Sequence, residues 1–242
     1  MRFLIVLLCG MAFPAIAQQA AETRELVGQV GGRSSLMVLH ATQRADGGWQ
    51  IAGEYLLLPT LVRRYVEGER SPEIGVTTLK EGTTPILFGR PPTGELRGTW
   101  RSGVFKGMRY GPGGQERERF EFSEAFPSME AYSAEVRCEA GEGRYSSTLN
   151  FSVDSGNLKS FEWRSRVEPG GHACALTGAK QQAASGGLAL ATGKCRVTLR
   201  DLGDYVKAAA EHCAALCGSQ AYLEPLLIDR RGNCRLLRPE AR

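Results

Sequence analysis

Apolar and polar residues alternate in short runs through the first half of the chain, and this pattern predicts β-strands. Arg117–Phe122, for example, alternates charged and apolar side chains, which is typical of a strand with one buried face. Turn sequences rich in glycine, proline and aspartate separate the runs. The other strand-length segments are Ser35–His40, Trp49–Leu58, Val62–Val66, Ile74–Leu79 and Glu95–Trp100. We therefore predict an antiparallel β-meander over residues 26–128, preceded by a flexible lead-in at 18–25.

The second half, residues 129–242, carries the same alternation and a strong hairpin signal. Tyr145–Val153 and Leu158–Ser165 flank the turn sequence Asp154-Ser155-Gly156-Asn157. Phe161 and Trp163 fall on one face of the second strand, so we expect that face to be buried. Further strands are predicted over Ala134–Cys138 and Lys194–Leu199, and Leu223–Ile228 is a last apolar segment.

Residues 199–216 fit two patterns. Apolar residues recur there at spacings of three and four with alanines between them, which favours a helix. Asp201–Asp204 could instead form a turn into a strand over Tyr205–Ala208. We predict a strand that ends near Ala208, then a short helix over Ala209–Leu216 capped by Gly218. The fold class is mostly β, with two small antiparallel domains, meander or barrel-like, the second tied by disulfides and containing one short helix.

The N-terminus predicts the compartment. Residues 1–17 read as a secretory signal peptide, with Arg2 in the n-region, a short apolar h-region and Ala15-Ile16-Ala17 before the cleavage point. Cys9 could also mark a lipoprotein signal, but Leu7 and Leu8 before it fit that pattern poorly. No later stretch is long and apolar enough to span a bilayer. We therefore expect an exported protein, periplasmic or secreted.

Six further cysteines all lie in the second half, and in an exported chain they predict up to three disulfides. Because Cys138 and Cys174 bracket the predicted hairpin, their pairing is the first expectation. Fifteen connectivities are open to six cysteines. The six are Cys138, Cys174, Cys195, Cys213, Cys217 and Cys234.

The sequence lacks the common catalytic motifs: there is no G-x-S-x-G, H-E-x-x-H, phosphate-binding glycine loop or C-x-x-C. His40 is expected to be structural, and His172 to lie exposed in a turn. The spacing of His212, Cys213 and Cys217 resembles a set of metal ligands or a redox site, but oxidation to disulfides is favoured. No catalytic residue, metal or cofactor is predicted.

A hydrolase built on paired carboxylates is the enzymatic alternative. Its candidate residues are Glu54, Glu73, Glu95 and Asp154. Nothing in the sequence brings two of them to a catalytic separation, and acidic residues on β surfaces are usually solvated.

Two groups of residues suggest binding surfaces. The first is an arginine group near the C-terminus that could bind an acidic protein, lipopolysaccharide or peptidoglycan, or simply be a solvated tail. Its members are Arg230, Arg231, Arg235, Arg238 and Arg242. The second combines arginines and aromatic residues that neighbouring strands could bring together, although such tryptophans more often belong to the core. Its members are Arg63, Arg64, Tyr65, Trp100, Arg101 and Tyr110.

The first half, with motifs such as Thr93–Trp100 and Phe105-Lys106-Gly107, resembles β-meanders of uncharacterised exported bacterial proteins. Three stretches of the second half resemble bacterial periplasmic lysozyme inhibitors: Tyr132–Cys138, Gly143-Arg144-Tyr145 and Cys213–Gly218. That family consists of small disulfide-tied β-barrels that insert a Ser-Gly-x-Arg/Lys-Tyr loop into the lysozyme cleft. Here Glu142 stands in place of the serine. The motif also falls just after Cys138, whereas in the family it comes many residues later. The resemblance implies that Arg144, Tyr145 and Ser146 insert, with Arg144 facing the acidic catalytic groups. A plain turn entering a hairpin is the other interpretation.

These observations favour an exported, non-enzymatic binding protein, an inhibitor or immunity-type partner of a cell-wall hydrolase such as a lysozyme. The alternative is an envelope structural or stress protein that binds a polysaccharide, a lipid or another small ligand in a barrel mouth. The net charge of +4 is only mildly basic and does not imply nucleic acid. The expected partner is a protein or an envelope component.

Overall fold

The computed structural model describes residues 21–58, 60–71, 75–85, 91–115, 117–182, 186–218 and 221–237. The predicted signal peptide, Cys9, Glu73, Arg238 and Arg242 lie outside the described residues. The fold class is confirmed: the described chain is mostly antiparallel β-structure with one short helix and three disulfides. None of the helices in the described part of the chain has the length and apolar content for a membrane crossing.

Eight strands of the first half form a closed antiparallel barrel in which sequence neighbours are also spatial neighbours. Pairing of the first strand with the eighth, from Val27↔Ser123 to Val30↔Phe120, closes it. The flexible lead-in predicted for 18–25 is wrong from Ala21 onward, because these residues pair with the second strand. The strands are β1 (Ala21–Val30), β2 (Arg33–Gln43), β3 (Trp49–Leu57), β4 (Val62–Arg70), β5 (Val76–Gly82), β6 (Gly94–Arg101), β7 (Val104–Tyr110) and β8 (Arg117–Ser123).

Side chains fill the middle of the barrel. Phe105 contacts Phe120, and Phe122 contacts both Phe120 and Tyr55, with ring centroids 4.8 to 6.3 Å apart. Leu26 is among the aliphatic residues that complete this core. Several inward positions are glycines, and a Cβ atom at any of them would overlap a carbonyl oxygen of the adjacent strand. These glycines are Gly28, Gly53, Gly68, Gly98 and Gly107. They allow the neighbouring backbones to approach closely enough for so small a barrel to close.

The second half forms two sheets around a common core, here called the two-sheet unit (residues 127–237). The first sheet has the order β12-β11-β10-β9 and the second runs from β13 to β18. Trp163 lies at the centre, fully buried, and its indole nitrogen donates to Ser147 Oγ at 2.8 Å. The elements are β9 (Ala134–Glu142), β10 (Tyr145–Asp154), β11 (Asn157–Val167), β12 (His172–Thr177), β13 (Lys180–Gln182), β14 (Leu188–Thr192), β15 (Cys195–Asp201), β16 (Tyr205–Glu211), α1 (Ala214–Cys217), β17 (Leu226–Asp229) and β18 (Cys234–Leu236).

The predicted hairpin is confirmed, and the predicted helix is mostly wrong. β10 and β11 turn at Ser155-Gly156, where both residues have positive φ, and Phe161 lies on the buried face with Trp163. The strand continues past Ala208, because Ala209 and Ala210 pair with β15 and belong to β16. The helix covers only Ala214–Cys217 and is followed by Gly218 at its C-terminal cap, as predicted. Pairing with the sheet outweighs the helix propensity of alanine here.

The disulfides connect Cys138 to Cys234, Cys174 to Cys217, and Cys195 to Cys213. The predicted Cys138–Cys174 bridge is therefore wrong. The physical reason lies in the sheet order: Cys138 is on β9 and Cys174 on β12, at opposite edges of the four-stranded sheet. Each cysteine instead pairs with a residue outside that sheet.

The barrel packs against the two-sheet unit through a small apolar cluster. Val27, Leu36 and Leu58 of the barrel meet Leu202 and Leu227 of the two-sheet unit, and all five are buried. Polar contacts surround this junction. Glu25 forms ion pairs with Arg200 and Lys207, and Ser34 Oγ donates to Asp204 at 2.5 Å.

Candidate functional site

The turn between β9 and β10 presents Arg144 to solvent. In the strand register Glu142 of β9 lies opposite Tyr145 of β10, so Gly143 and Arg144 form a two-residue loop. Gly143 has the positive φ of 60° that such a turn favours. The carbonyl of Arg144 accepts a hydrogen bond from Glu168 N at 2.9 Å, which joins this turn to the one that follows β11. The Arg144 guanidinium makes no ion pair with the described residues. A cation is thus held on a short, well-fixed turn, here called the Arg144 turn (residues 142–146).

Tyr145 does not share that exposure. Its side chain is 4% exposed, and its ring stacks on Tyr222 with centroids 5.3 Å apart. Its hydroxyl accepts a hydrogen bond from Glu224 N at 2.9 Å, and burial raises its pKa. The structure therefore places Tyr145 as the anchor of the turn, and it leaves Arg144 and Ser146 as the exposed residues of the predicted set.

The C-terminal arginines have different environments. Arg230 donates to Asp201 and to the carbonyl of Gly203, and its guanidinium lies 5.5 Å from the centroid of the Tyr132 ring. It therefore supports the fold around β16. Arg231 is exposed in the turn between β17 and β18. Arg235 is exposed on β18.

The second predicted patch does not form. Arg64 points into the barrel at the end where β4 begins, whereas Trp100 lies at the opposite end and stacks on Phe105 with centroids 4.9 Å apart. Tyr110 is on the outer surface of β7, three strands away from β4. The predicted patch fails because β4 is not a neighbour of β6 or β7, and because Trp100 faces the barrel interior whereas Tyr110 faces outward.

A buried charge network closes one end of the barrel. Glu81 is fully buried and receives two hydrogen bonds from Arg109, both at 2.8 Å, and one from the Tyr55 hydroxyl at 2.5 Å. Arg109 also donates to Glu118 at 2.9 Å, and Arg64 lies 3.6 Å from Glu81. Such an arrangement satisfies both oxygens of a carboxylate that has lost its water.

Electrostatics keep Glu81 ionised and Tyr55 protonated. Burial opposes ionisation of Glu81, but the hydrogen bonds from Arg109 and Tyr55 outweigh it and hold the pKa of this carboxyl below its ordinary value. Burial and the neighbouring carboxylate raise the pKa of Tyr55, so its hydroxyl remains a donor. A carboxyl held ionised in this way is the opposite of a general acid, which needs a raised pKa.

Sequence reasoning missed this network, although a signal was present. On β5 the inward positions are Thr77, Leu79 and Glu81, so the alternation places a carboxylate in a buried row. Arg109 likewise follows Phe105 on the inward face of β7. A charged residue at an inward position of a strand whose other inward residues are buried is the signal that could have identified Glu81 and Arg109.

The predicted carboxylates are dispersed. Glu54 pairs with Arg63 at 3.4 Å, Glu95 pairs with Arg97, and Asp154 lies 3.7 Å from Lys159 in the two-sheet unit. Of the metal-like set, Cys213 and Cys217 are in disulfides. Across the described ranges, no three residues of types His, Cys, Asp and Glu are grouped to hold a metal ion.

Comparisons with protein-family models, with curated proteins and with solved structures found no match to this chain.

Proposed function

We propose that this chain is an exported, non-enzymatic binding protein that inhibits or neutralises a cell-wall hydrolase through the Arg144 turn. The observation that carries the proposal is the exposed Arg144 guanidinium, which forms no ion pair with a described residue, on a turn whose next residue, Tyr145, is buried in the core. A pre-organised cation loses little entropy when it enters an acidic cleft. Three disulfides and the N-terminal sequence favour an oxidising compartment.

A ligand carried inside the barrel has less support, because both ends are closed by side chains. At the end opposite Glu81, Arg24 lies 5.1 Å from the centroid of Trp100 and is held by Glu22 and Glu124. Between the two ends the interior is filled by aromatic and aliphatic side chains. The described geometry therefore favours binding at the surface over binding in a barrel mouth.

The test is inhibition of cell-wall hydrolases by residues 18–242 produced in an oxidising compartment. Lysozymes of several types are titrated with the wild-type protein and with Arg144→Ala. The substitution is expected to weaken inhibition by about thirtyfold, because a central arginine at an interface contributes about 2 kcal/mol or more. Arg196→Ala removes an exposed arginine on β15 and serves as the matched control.

Two results would count against the proposal. One is the absence of inhibition of every hydrolase in the panel by the correctly oxidised wild-type protein. The other is inhibition that Arg144→Ala and Arg196→Ala reduce equally, since this would indicate a general charge effect.

A further inference from the structure

The outer surface of strands β6, β7 and β8 is strongly basic. Its outward positions hold five cationic side chains and two carboxylates, and all five cations are exposed. We call this surface the basic face. Its cations are Arg97, Arg101, Lys106, Arg117 and Arg119, and its carboxylates are Glu95 and Glu121.

Four of the five cations are not neutralised within the described chain. Arg97 pairs with Glu95, but Arg101, Lys106, Arg117 and Arg119 form no ion pair with a described residue. β6 and β7 are half a turn around the barrel from β2 and β3, so this part of the face points away from the junction with the two-sheet unit. β8 is closer to the junction, because it pairs with β1, which carries Val27. Unpaired like charges on one surface repel each other, and an anionic ligand would relieve that repulsion.

The strand register arranges the arginines around a central tyrosine. In the strand register, Arg97 on β6 and Arg119 on β8 lie opposite Met108 on β7, and Arg117 on β8 lies opposite Tyr110. The guanidinium carbons of Arg97 and Arg117 are 5.4 and 5.8 Å from the Tyr110 ring centroid. Planar guanidinium groups in this position can bind carboxylates in a bidentate manner.

Two shallow depressions flank this centre. One, of about 360 Å³, lies between Arg97, Tyr110 and the glycine-rich loop Gly111–Gly114, which includes Pro112. The other, of about 370 Å³, lies between Lys106, Met108 and Arg119. The face thus offers two recesses with partly apolar linings, each bordered by cations and by one carboxylate, Glu95 or Glu121.

We propose that the basic face binds an acidic polysaccharide, with carboxylate groups on the arginines and successive sugars in the two recesses. A stable protein partner would need a desolvated apolar centre. Here the apolar side chains are the half-buried Val104, Met108 and Tyr110, and the large hydrophobic residues that are exposed lie elsewhere. The proposal does not depend on the Arg144 turn, which is on the two-sheet unit.

The experiment measures binding of a short polyuronate oligosaccharide to the full chain by calorimetry at low salt. A neutral glucan of equal length and a polyglutamate peptide of equal charge are the comparison probes. Arg117→Gln combined with Arg119→Gln is expected to weaken polyuronate binding about tenfold or more. Arg137→Gln combined with Arg164→Gln removes two exposed arginines from the four-stranded sheet and is the matched control.

The expected result is polyuronate binding that weakens with salt, is lost in the basic-face variant and is retained in the control. Equal binding by the neutral glucan would overturn the proposal, as would equal losses in both variants or no binding by the wild type. Polyglutamate binding of the same strength would also overturn it, since the face would then recognise acidic polypeptides. Lysozyme inhibition by the basic-face variant, measured in parallel, separates this outcome from that of the Arg144 turn.

Discussion

The barrel and the two-sheet unit solve the problem of sheet edges in different ways. A closed barrel has no edge strands, and the described barrel contains no cysteine. The two-sheet unit has four edge strands, and three of them carry a disulfide: β9 at Cys138, β18 at Cys234 and β12 at Cys174. The fourth, β13, is only three residues long, polar and exposed. Two of the three disulfides are therefore placed at edge strands, where backbone pairing ends, whereas the third joins Cys195 on the interior strand β15 to Cys213.

The two regions also differ in how they treat charge. The barrel buries an ionised carboxylate and neutralises it with arginines, whereas the buried polar residues described in the two-sheet unit are the uncharged Ser147 and Ser165. The Glu81 network closes one end of the barrel interior with charged groups whose hydrogen-bonding atoms are paired with one another. We expect the barrel to be sensitive to acid and the two-sheet unit to be sensitive to reductant.

The largest effect is expected from the bridge between the two sheets. Cys138→Ser combined with Cys234→Ser opens a loop of sequence separation 96 and should lower the free energy of unfolding by about 4–5 kcal/mol. Cys195→Ser combined with Cys213→Ser opens a separation of only 18 and should cost about 3 kcal/mol. Segment-resolved hydrogen exchange should show the loss in the two-sheet unit. Equal loss of protection in the barrel would contradict the division between the regions.

The next effect concerns the buried network. Glu81→Gln removes the buried anion that Arg109 and Arg64 share and leaves Arg109 only the partly exposed Glu118, so it should destabilise the barrel by about 3 kcal/mol. Glu118→Gln is the control, because Glu118 is 30% exposed and water can replace its contacts. Thermal unfolding followed by circular dichroism measures both. A melting temperature as high as that of the wild type would show that the carboxylate is dispensable.

The same variant tests the pH dependence. Because the pKa of Glu81 is lower in the folded protein than in the unfolded chain, its contribution is complete above about pH 4.5. That contribution is lost as the pH falls through the folded-state pKa. The wild-type barrel should lose stability on this acid side, and Glu81→Gln should show a weaker dependence. Parallel curves for the two proteins would assign the acid sensitivity to other groups.

The smallest effect is expected at the junction. Glu25→Gln removes the partner of Arg200 and Lys207, all of which are partly exposed, so the loss should be about 1 kcal/mol or less. This variant tests the coupling between the barrel and the two-sheet unit. With the coupling weakened, their calorimetric unfolding transitions should lie farther apart in temperature than in the wild type. Leu227→Ala, in the apolar part of the junction, provides the stronger comparison. A single unchanged transition in both variants would show that the two regions unfold as one.

The sequence predicted the local features and missed the distant ones. The β10–β11 hairpin was predictable because strands and turn are contiguous and the alternation around Trp163 is clear. The bridge from Cys138 to Cys234 was not, because it depends on how two sheets meet. Tyr145 was read as a binding residue because a motif does not reveal that Tyr222 covers its ring. Glu81 was visible as a charge in a buried row, but its partner Arg109 is two strands away.

The inward glycines of the barrel also limit what can change in this protein. At Gly28, Gly53, Gly68 and Gly107, a methyl group would collide with the carbonyl of the adjacent strand. The width of the barrel is therefore fixed by the close contact between neighbouring strand backbones. Replacing core side chains by smaller ones would leave isolated cavities instead of a wider lumen. The barrel interior is filled and cannot readily become a ligand-binding cavity. New binding specificities can therefore evolve on its outer surface.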